Sequence, residues 1–196
     1  LIAFAHHTQL TVRTRMSMWG AWALAIVASV EALFAYGPHA SGVKVYNFTD
    51  LSLLSDTMTT TFGQATLLRI SLLLAFVLLL MSINYRVKMS WRLLALGLSL
   101  AVAATLSAVG HPSAESPVAL SMSLDTVHLV AASLWIGALF LIAIDRKNWL
   151  RSSVSMLNFS RVAGYSVAII AVTGSIQTVL LIDHPKNLFA TEFGQK

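Results

Sequence analysis

Cysteine is absent from the 196-residue sequence, which excludes disulfides, thiolate metal sites and iron–sulfur clusters. Any metal held here needs His, Met, Asp, Glu, Gln or backbone oxygen as its ligand. Charge is nearly as scarce: 11% of the residues are charged and 57% are hydrophobic, against roughly 25% and 45–50% in an average soluble domain. No soluble core of this length needs so much apolar surface, whereas a lipid-facing bundle does. A nucleotide-binding loop, a nucleophile–base arrangement and an H-E-x-x-H zinc motif are also missing, so an enzyme is not expected. The net charge of +5 is no signature of nucleic-acid binding, because the basic residues sit in short clusters between long apolar runs.

Those runs are what the sequence has in quantity. A bilayer core about 30 Å thick needs about 20 apolar residues in a helix. Five stretches meet that test, near 18–36, 66–85, 91–110, 126–144 and 162–182. None alternates in polarity as a membrane strand would. The expected fold is therefore all-α, a polytopic transmembrane helical bundle with about five spans in this chain. Nine of the 13 basic residues fall on one side if the spans alternate: Arg13, Arg15, Arg86, Lys88, Arg92, Arg146, Lys147, Arg151 and Arg161. Lys44, Arg69, Lys186 and Lys196 are the remainder. The excess of Lys and Arg marks the cytoplasmic side, which places 13–15, 86–92 and 146–161 there. Loops 37–65 and 111–125 and the tail from Asp183 are then on the outer side, with Tyr36, Tyr85 and Trp91 at span ends.

Residues 1–12 read as the end of a preceding helix. Arg13 and Arg15 before an apolar run also resemble a signal peptide, but the run to Tyr36 is long for that and carries Glu31, which favours a retained helix. The pattern T-x-F-G-Q occurs at 60–64 and again at 191–195, each time after an outward-running span and an outer loop. A repeat in matching positions predicts a further inward helix after Lys196, with 184–196 as the outer segment leading to it. The chain 1–196 thus reads as a single membrane domain that is incomplete, with missing spans on either side.

Ionisable groups inside a membrane cost about 2.5–3.5 kcal/mol each when central, so they need a partner or a purpose. Here they gather in the outer half: Glu31, Arg69, His111, Asp125 and His128. On the fourth span Asp125, His128, Ala132, Trp135 and Leu139 fall within roughly 80° of arc at about 100° per residue. Ala131, Ala132, Ser133, Gly137 and Ala138 would let neighbouring helices approach closely. The loop 111–125 joins the third and fourth spans, so His111 and His128 can come within ligand distance, with Met122 just before Asp125. Two imidazoles, a carboxylate and a thioether suit a copper ion: imidazole takes Cu(I) or Cu(II), and thioether favours Cu(I). Asp125 can instead accept the second ring N–H of His128 and fix its tautomer.

Plainer readings stand beside these. Taken alone, His111 and His128 each read equally as interfacial hydrogen-bonding residues, and His111 before Pro112 can simply end its helix. His39 and His184 adjoin Pro38 and Pro185 and read as loop residues before ligands; His6 and His7 read as incidental. Glu31 and Arg69 read as an intramembrane ion pair, and Gln177 as an interhelical hydrogen-bonding group.

Gly110-His111, followed by the run D-T-V-H-L-V-A-A-S-L-W-I-G-A-L over 125–139, resembles the core signature of the copper resistance protein D family (CopD, including YcnJ-like proteins). Asn158-Phe159-Ser160-Arg161, Val172-Thr173-Gly174 and both T-x-F-G-Q elements resemble further segments of that family, the first T-x-F-G-Q being followed by Leu67-Leu68-Arg69. Ala138 stands where a second glycine is common. The resemblance implies a multi-helix protein of the bacterial cytoplasmic membrane that takes part in copper uptake or homeostasis. It implies a periplasmic CopC-like copper-binding protein or fused domain as partner. By position it gives His111, Asp125 and His128 a functional role, and Trp135 and Gly137 a structural one. The seven methionines include no M-x-x-M pair, so the methionine ladder of some copper transporters is missing. Two other functions remain open: a haem protein with two histidines as axial ligands, and a non-catalytic accessory subunit of a larger membrane complex.

Overall fold

The structure, a computed structural model, describes residues 11–42, 50–82, 89–110, 117–144, 146 and 153–181. They form six helices: α1 (Val12–Ala40), α2 (Leu51–Thr59), α3 (Thr61–Ser82), α4 (Met89–Ser107), α5 (Val118–Ile144) and α6 (Ser153–Leu181). No strand occurs among the described residues. The all-α bundle expected from the apolar runs is what the chain forms. Four helices, α1, α3, α5 and α6, are long and apolar enough to cross a membrane. The expected third span is α4, whose apolar part, Leu93–Ser107, is shorter.

Helix ends differ from the apolar runs because hydropathy registers only the lipid-crossing part. At 29 residues α1 is about 44 Å long, well beyond a hydrocarbon core of about 30 Å. It begins six residues before the apolar run, at the Thr11 cap, whose hydroxyl accepts from Thr14 N–H at 3.3 Å. Residues 11 and 12, expected to close a preceding helix, therefore open α1, while 1–10 lie outside the described residues. At its other end α1 continues through Pro38 to Ala40.

The chain divides into two compact units, Ile2–Val109 and Gly110–Lys196. In the first, α1, α3 and α4 are joined by bonds between apolar surfaces. The indole N–H of Trp22 donates to the backbone carbonyl of Leu73 on α3 at 2.7 Å. Trp22 also meets Trp19 edge-on, with ring centroids 5.7 Å apart. The buried side chains of this unit are small or polar as often as large: Ser29, Thr66, Ala95, Ala103, Thr105 and Ser107 are all buried, while Leu24, Leu68, Leu78 and Leu93 are exposed. That inversion is what a lipid-facing surface produces, since lipid gives leucine no reason to hide and small residues let helices close up.

α2 lies in the segment read from sequence as an outer loop. Asp50 caps it, accepting from the Ser52 N–H at 3.0 Å and the Ser52 hydroxyl at 2.6 Å. These bonds, the hydroxyl's first, hold the Asp50 carboxyl below the usual carboxylate range. Two glycines let α2 nest between α1 and α3. A Cβ at Gly37 would stand 2.8 Å from Thr57 Oγ1 and 2.9 Å from the Leu53 carbonyl oxygen. A Cβ at Gly63 would stand 2.7 Å from the Thr57 carbonyl carbon and collide with its oxygen.

The first T-x-F-G-Q element is the corner between α2 and α3, and each fixed position has a task. The Thr60 hydroxyl accepts from Gly63 N–H at 3.0 Å, capping α3. Phe62 stacks on Tyr36 of α1 at 4.1 Å with the planes 9° apart. Gly63 admits the α2 backbone, and the Gln64 amide donates back to the Thr59 carbonyl at 3.4 Å. The second copy, at 191–195, lies outside the described residues.

Candidate functional site

In the second unit α5 and α6 pack side by side, and their polar contacts show them to be antiparallel. Advancing three residues along α5, from Asp125 to His128, moves the partner back along α6 from Gln177 to Thr173. The seam between them is made of small residues: Ala131 and Ala138 of α5 and Ser166 and Thr173 of α6 are buried. Leu141, farther along α5, is the one bulky side chain of that helix that is buried; at the small positions the helices come close enough for short polar side chains to meet.

Two such meetings form the candidate site. His128 Nδ1 lies 2.9 Å from Thr173 Oγ1. The Gln177 amide donates to Asp125 Oδ1 at 3.4 Å, a long bond. Thr173 is 5% exposed and its hydroxyl donates to the Ile169 carbonyl at 2.7 Å. Gly174 lies beside the imidazole, where a Cβ would sit 3.7 Å from Cε1 and 4.0 Å from Nδ1. One turn before Asp125 along α5, the Ser121 hydroxyl is buried with no partner among the described residues. Ser121, Asp125 and His128 follow one another at spacings of four and three, so they share a face of α5. That face presents an imidazole, a carboxylate and an unengaged hydroxyl, the first two pinned from α6.

Several sequence expectations change here. The His128 ring is fixed by Thr173 rather than by Asp125, whose carboxylate is engaged by Gln177 instead. Gln177 is the interhelical hydrogen-bonding group it was expected to be. Farther along the face that carries Asp125 and His128, Trp135 is 36% exposed and Leu139 43%. A Cβ at Gly137 would meet nothing within 4 Å, so close packing falls to Ala131 and Ala138. Met122 is half-buried, but six residues from His128 it lies about 9 Å away along the axis and about 120° around the helix. His111 and His184 lie outside the described residues. His39 is in the last turn of α1, exposed, rather than in a loop. Among the described residues no three His, Asp or Glu side chains gather closely enough to hold a metal ion. Asp125 and His128 alone fall short of such a group.

Arg69 departs furthest from expectation. Its guanidinium does not pair with Glu31, which is exposed on α1. It turns to α4, where Nε donates to Thr105 Oγ1 at 3.0 Å and Nη2 to the Thr105 carbonyl at 2.9 Å, and the residue is 8% exposed. An arginine of this kind ties two helices and leaves no lone pair for a cation.

Residues Thr173 and Ser121 were not read as part of any site. Thr173 carried a usable signal, its spacing of four from Gln177 on one helix face. Ser121 carried none, because serine is common in membrane helices.

Among known families, residues 1–121 match copper resistance protein D-like, N-terminal domain. The match runs through α1 to α4 and into the first turn of α5, so Asp125, His128, Thr173 and Gln177 lie beyond it. No curated protein and no solved structure matches the chain.

Proposed function

This chain belongs to the copper resistance protein D-like family, and we propose on that premise that it binds copper in the outer half of the bacterial cytoplasmic membrane and hands it on in copper uptake or homeostasis. The observation that carries the reading is the imidazole of His128, oriented from α6 and flanked by the Asp125 carboxylate on one face of a membrane helix. Imidazole accepts copper in both oxidation states, and a nearby carboxylate offsets the charge of an arriving cation. His128 is the ligand, and Asp125 either completes the coordination or supplies the counter-charge. A further donor is required, and His111 is the candidate by sequence position.

The cluster of Lys and Arg at 13–15, 86–92 and 146–161 supports the orientation, with the outer ends of α1, α4 and α6 and the start of α5 away from the cytoplasm. In that setting copper reaches His128 from the outer side, delivered by a soluble copper-binding protein of the CopC type. Onward passage through the inner half of α5 and α6 has few donors to use, mainly hydroxyls with Met156 near the start of α6, so binding is the better-supported half of the reading.

Metal analysis of the purified full-length protein tests it. Copper should co-purify or load at a fixed ratio in the wild type and fall severalfold in His128→Gln. Equal copper in the two proteins would remove the basis of the assignment, and a Soret band in the visible spectrum would replace copper with haem.

A further inference from the structure

The polar contact between α5 and α6 fixes more than the position of His128. The Thr173 hydroxyl has one hydrogen, and two acceptors lie within reach of it: the Ile169 carbonyl at 2.7 Å and the Ile170 carbonyl at 3.3 Å, both on its own helix. Two oxygens 2.7 Å apart, one of them a carbonyl, attract only if a hydrogen lies between them. The hydroxyl hydrogen is therefore directed at Ile169. What Thr173 presents to His128, 2.9 Å away, is a lone pair, and a lone pair needs a hydrogen on Nδ1. With a bare Nδ1, either two lone pairs face each other across the 2.9 Å contact, or the hydroxyl hydrogen turns to Nδ1 and the 2.7 Å Ile169 contact is left without one.

We propose that Thr173 is a positioning residue that holds neutral His128 in the Nδ1–H tautomer and so leaves Nε2 as its lone-pair donor to a soft or borderline metal cation. The proposal rests on the copper reading for the identity of the cation, but not for the tautomer. Nε2 has no hydrogen-bond partner among the described residues, whereas the Nδ1–Cε1 edge is occupied by Thr173 and Gly174. The Asp125 carboxylate, an acceptor that would favour a proton on whichever nitrogen it bonded, has Gln177 as its partner instead. Thr173 thus places the proton on the α6 side of the ring, and the Gln177 bond leaves Asp125 near the site without a hydrogen bond to either ring nitrogen. A carbonyl or carboxylate commonly fills the role of Thr173 at metal-binding histidines. Here a hydroxyl does so because its own hydrogen is already committed to the helix backbone.

Nitrogen-15 NMR of histidine-labelled, copper-free full-length protein reads this tautomer directly, with the His128 signals assigned by their loss in His128→Gln. The expected result is a protonated Nδ1 and a bare Nε2 in the wild type and in Thr173→Ser, with a shift toward the Nε2–H form in Thr173→Val. An Nε2–H wild type, or an unchanged tautomer in Thr173→Val, overturns the proposal. The wild-type spectrum is decisive even if Thr173→Val does not fold. Cu(I) alone, titrated against the same proteins, should bind about 10–100-fold more weakly to Thr173→Val and be restored in Thr173→Ser. The expected tautomer with no Cu(I) bound to the wild type would support the positioning role and remove the copper reading. Cu(I) bound through His128 with the wrong tautomer would do the reverse.

Discussion

Thr105 and Thr173 do the same thing in the two units of the chain, with different consequences. Each hydroxyl is close to a carbonyl of its own helix, Val102 at 2.6 Å and Ile169 at 2.7 Å. Each meets a nitrogen from the facing helix, Arg69 Nε at 3.0 Å and His128 Nδ1 at 2.9 Å. A threonine is well suited to this in lipid, because it satisfies itself when the partner helix is absent and lends a lone pair when it arrives. The difference lies in what the partner has left. Guanidinium has only donors, so Arg69 is used up in holding α3 to α4. Imidazole has a second nitrogen, so His128 is held and still free to bind. The comparison separates a polar group that builds the membrane fold from one that the fold presents.

The largest expected effect is at a place where the first unit has no slack. In Gly63→Ala the new methyl would collide with the Thr57 carbonyl, with backbone rather than a flexible side chain as the obstacle. Either α2 leaves its seat or α3 starts later, at a cost of about 2–3 kcal/mol. Thermal unfolding in detergent should show a large drop, with the signal from the Tyr36–Phe62 stack changing alongside it. An unchanged melting temperature would mean that α2 is not held as described. In the second unit Gly137 and Gly164 meet nothing within 4 Å and Gly174 only the His128 ring at 3.7 Å, so none of these three is a position of this kind.

Thr105→Val comes next and tests the comparison directly. It removes the acceptor of Arg69 Nε and leaves only the Thr105 carbonyl for Nη2. A lost bond to a buried charge should cost about 1.5 kcal/mol, seen as a lower melting temperature and faster amide exchange in α3 and α4. Copper content should not change. Copper lost without any loss of stability would place Arg69 and Thr105 in the binding machinery, and the separation between the units would fail.

Much of this was legible from the residues, and what was not has a physical reason. Apolar runs locate helices because lipid demands them, yet they say nothing of the turns beyond the hydrocarbon. Hence α1 was read to Tyr36 and runs to Ala40, and α5 was read from Thr126 and begins at Val118. α2 has nine residues, too few to be stable alone or to register as an apolar run. It exists because Gly37 and Gly63 let it pack, a tertiary cause that a local window does not contain. Asp125 and His128 stood out because charge is costly in a membrane. Thr173 and Thr105, their equals in the contacts, did not, because an unpaired hydroxyl there satisfies its own helix and costs little. The Glu31–Arg69 pairing failed for the same reason: opposite charges were matched by rule, while the actual acceptor was a neutral threonine.

Gly174→Ala should have the smallest effect, and its smallness is informative. Gly174 adjoins Thr173 and lies against the imidazole, so by position it looks as indispensable as Gly63. The distances say otherwise: its added methyl would rest 3.7 Å from Cε1 and 4.0 Å from Nδ1, ordinary contact with no backbone in the way. Alanine also favours the helix over glycine by about 1 kcal/mol in intrinsic propensity, although packing in a membrane helix reduces that gain. The variant should match or slightly exceed the wild type in melting temperature, keep the Nδ1–H tautomer of His128 and bind copper as before. If copper binding collapses while the fold holds, the methyl has blocked something that passes along the Cε1 edge of the ring. The binding direction would then be the α6 side and not Nε2, and the distinction drawn between the two threonines would need the histidine's free edge reassigned.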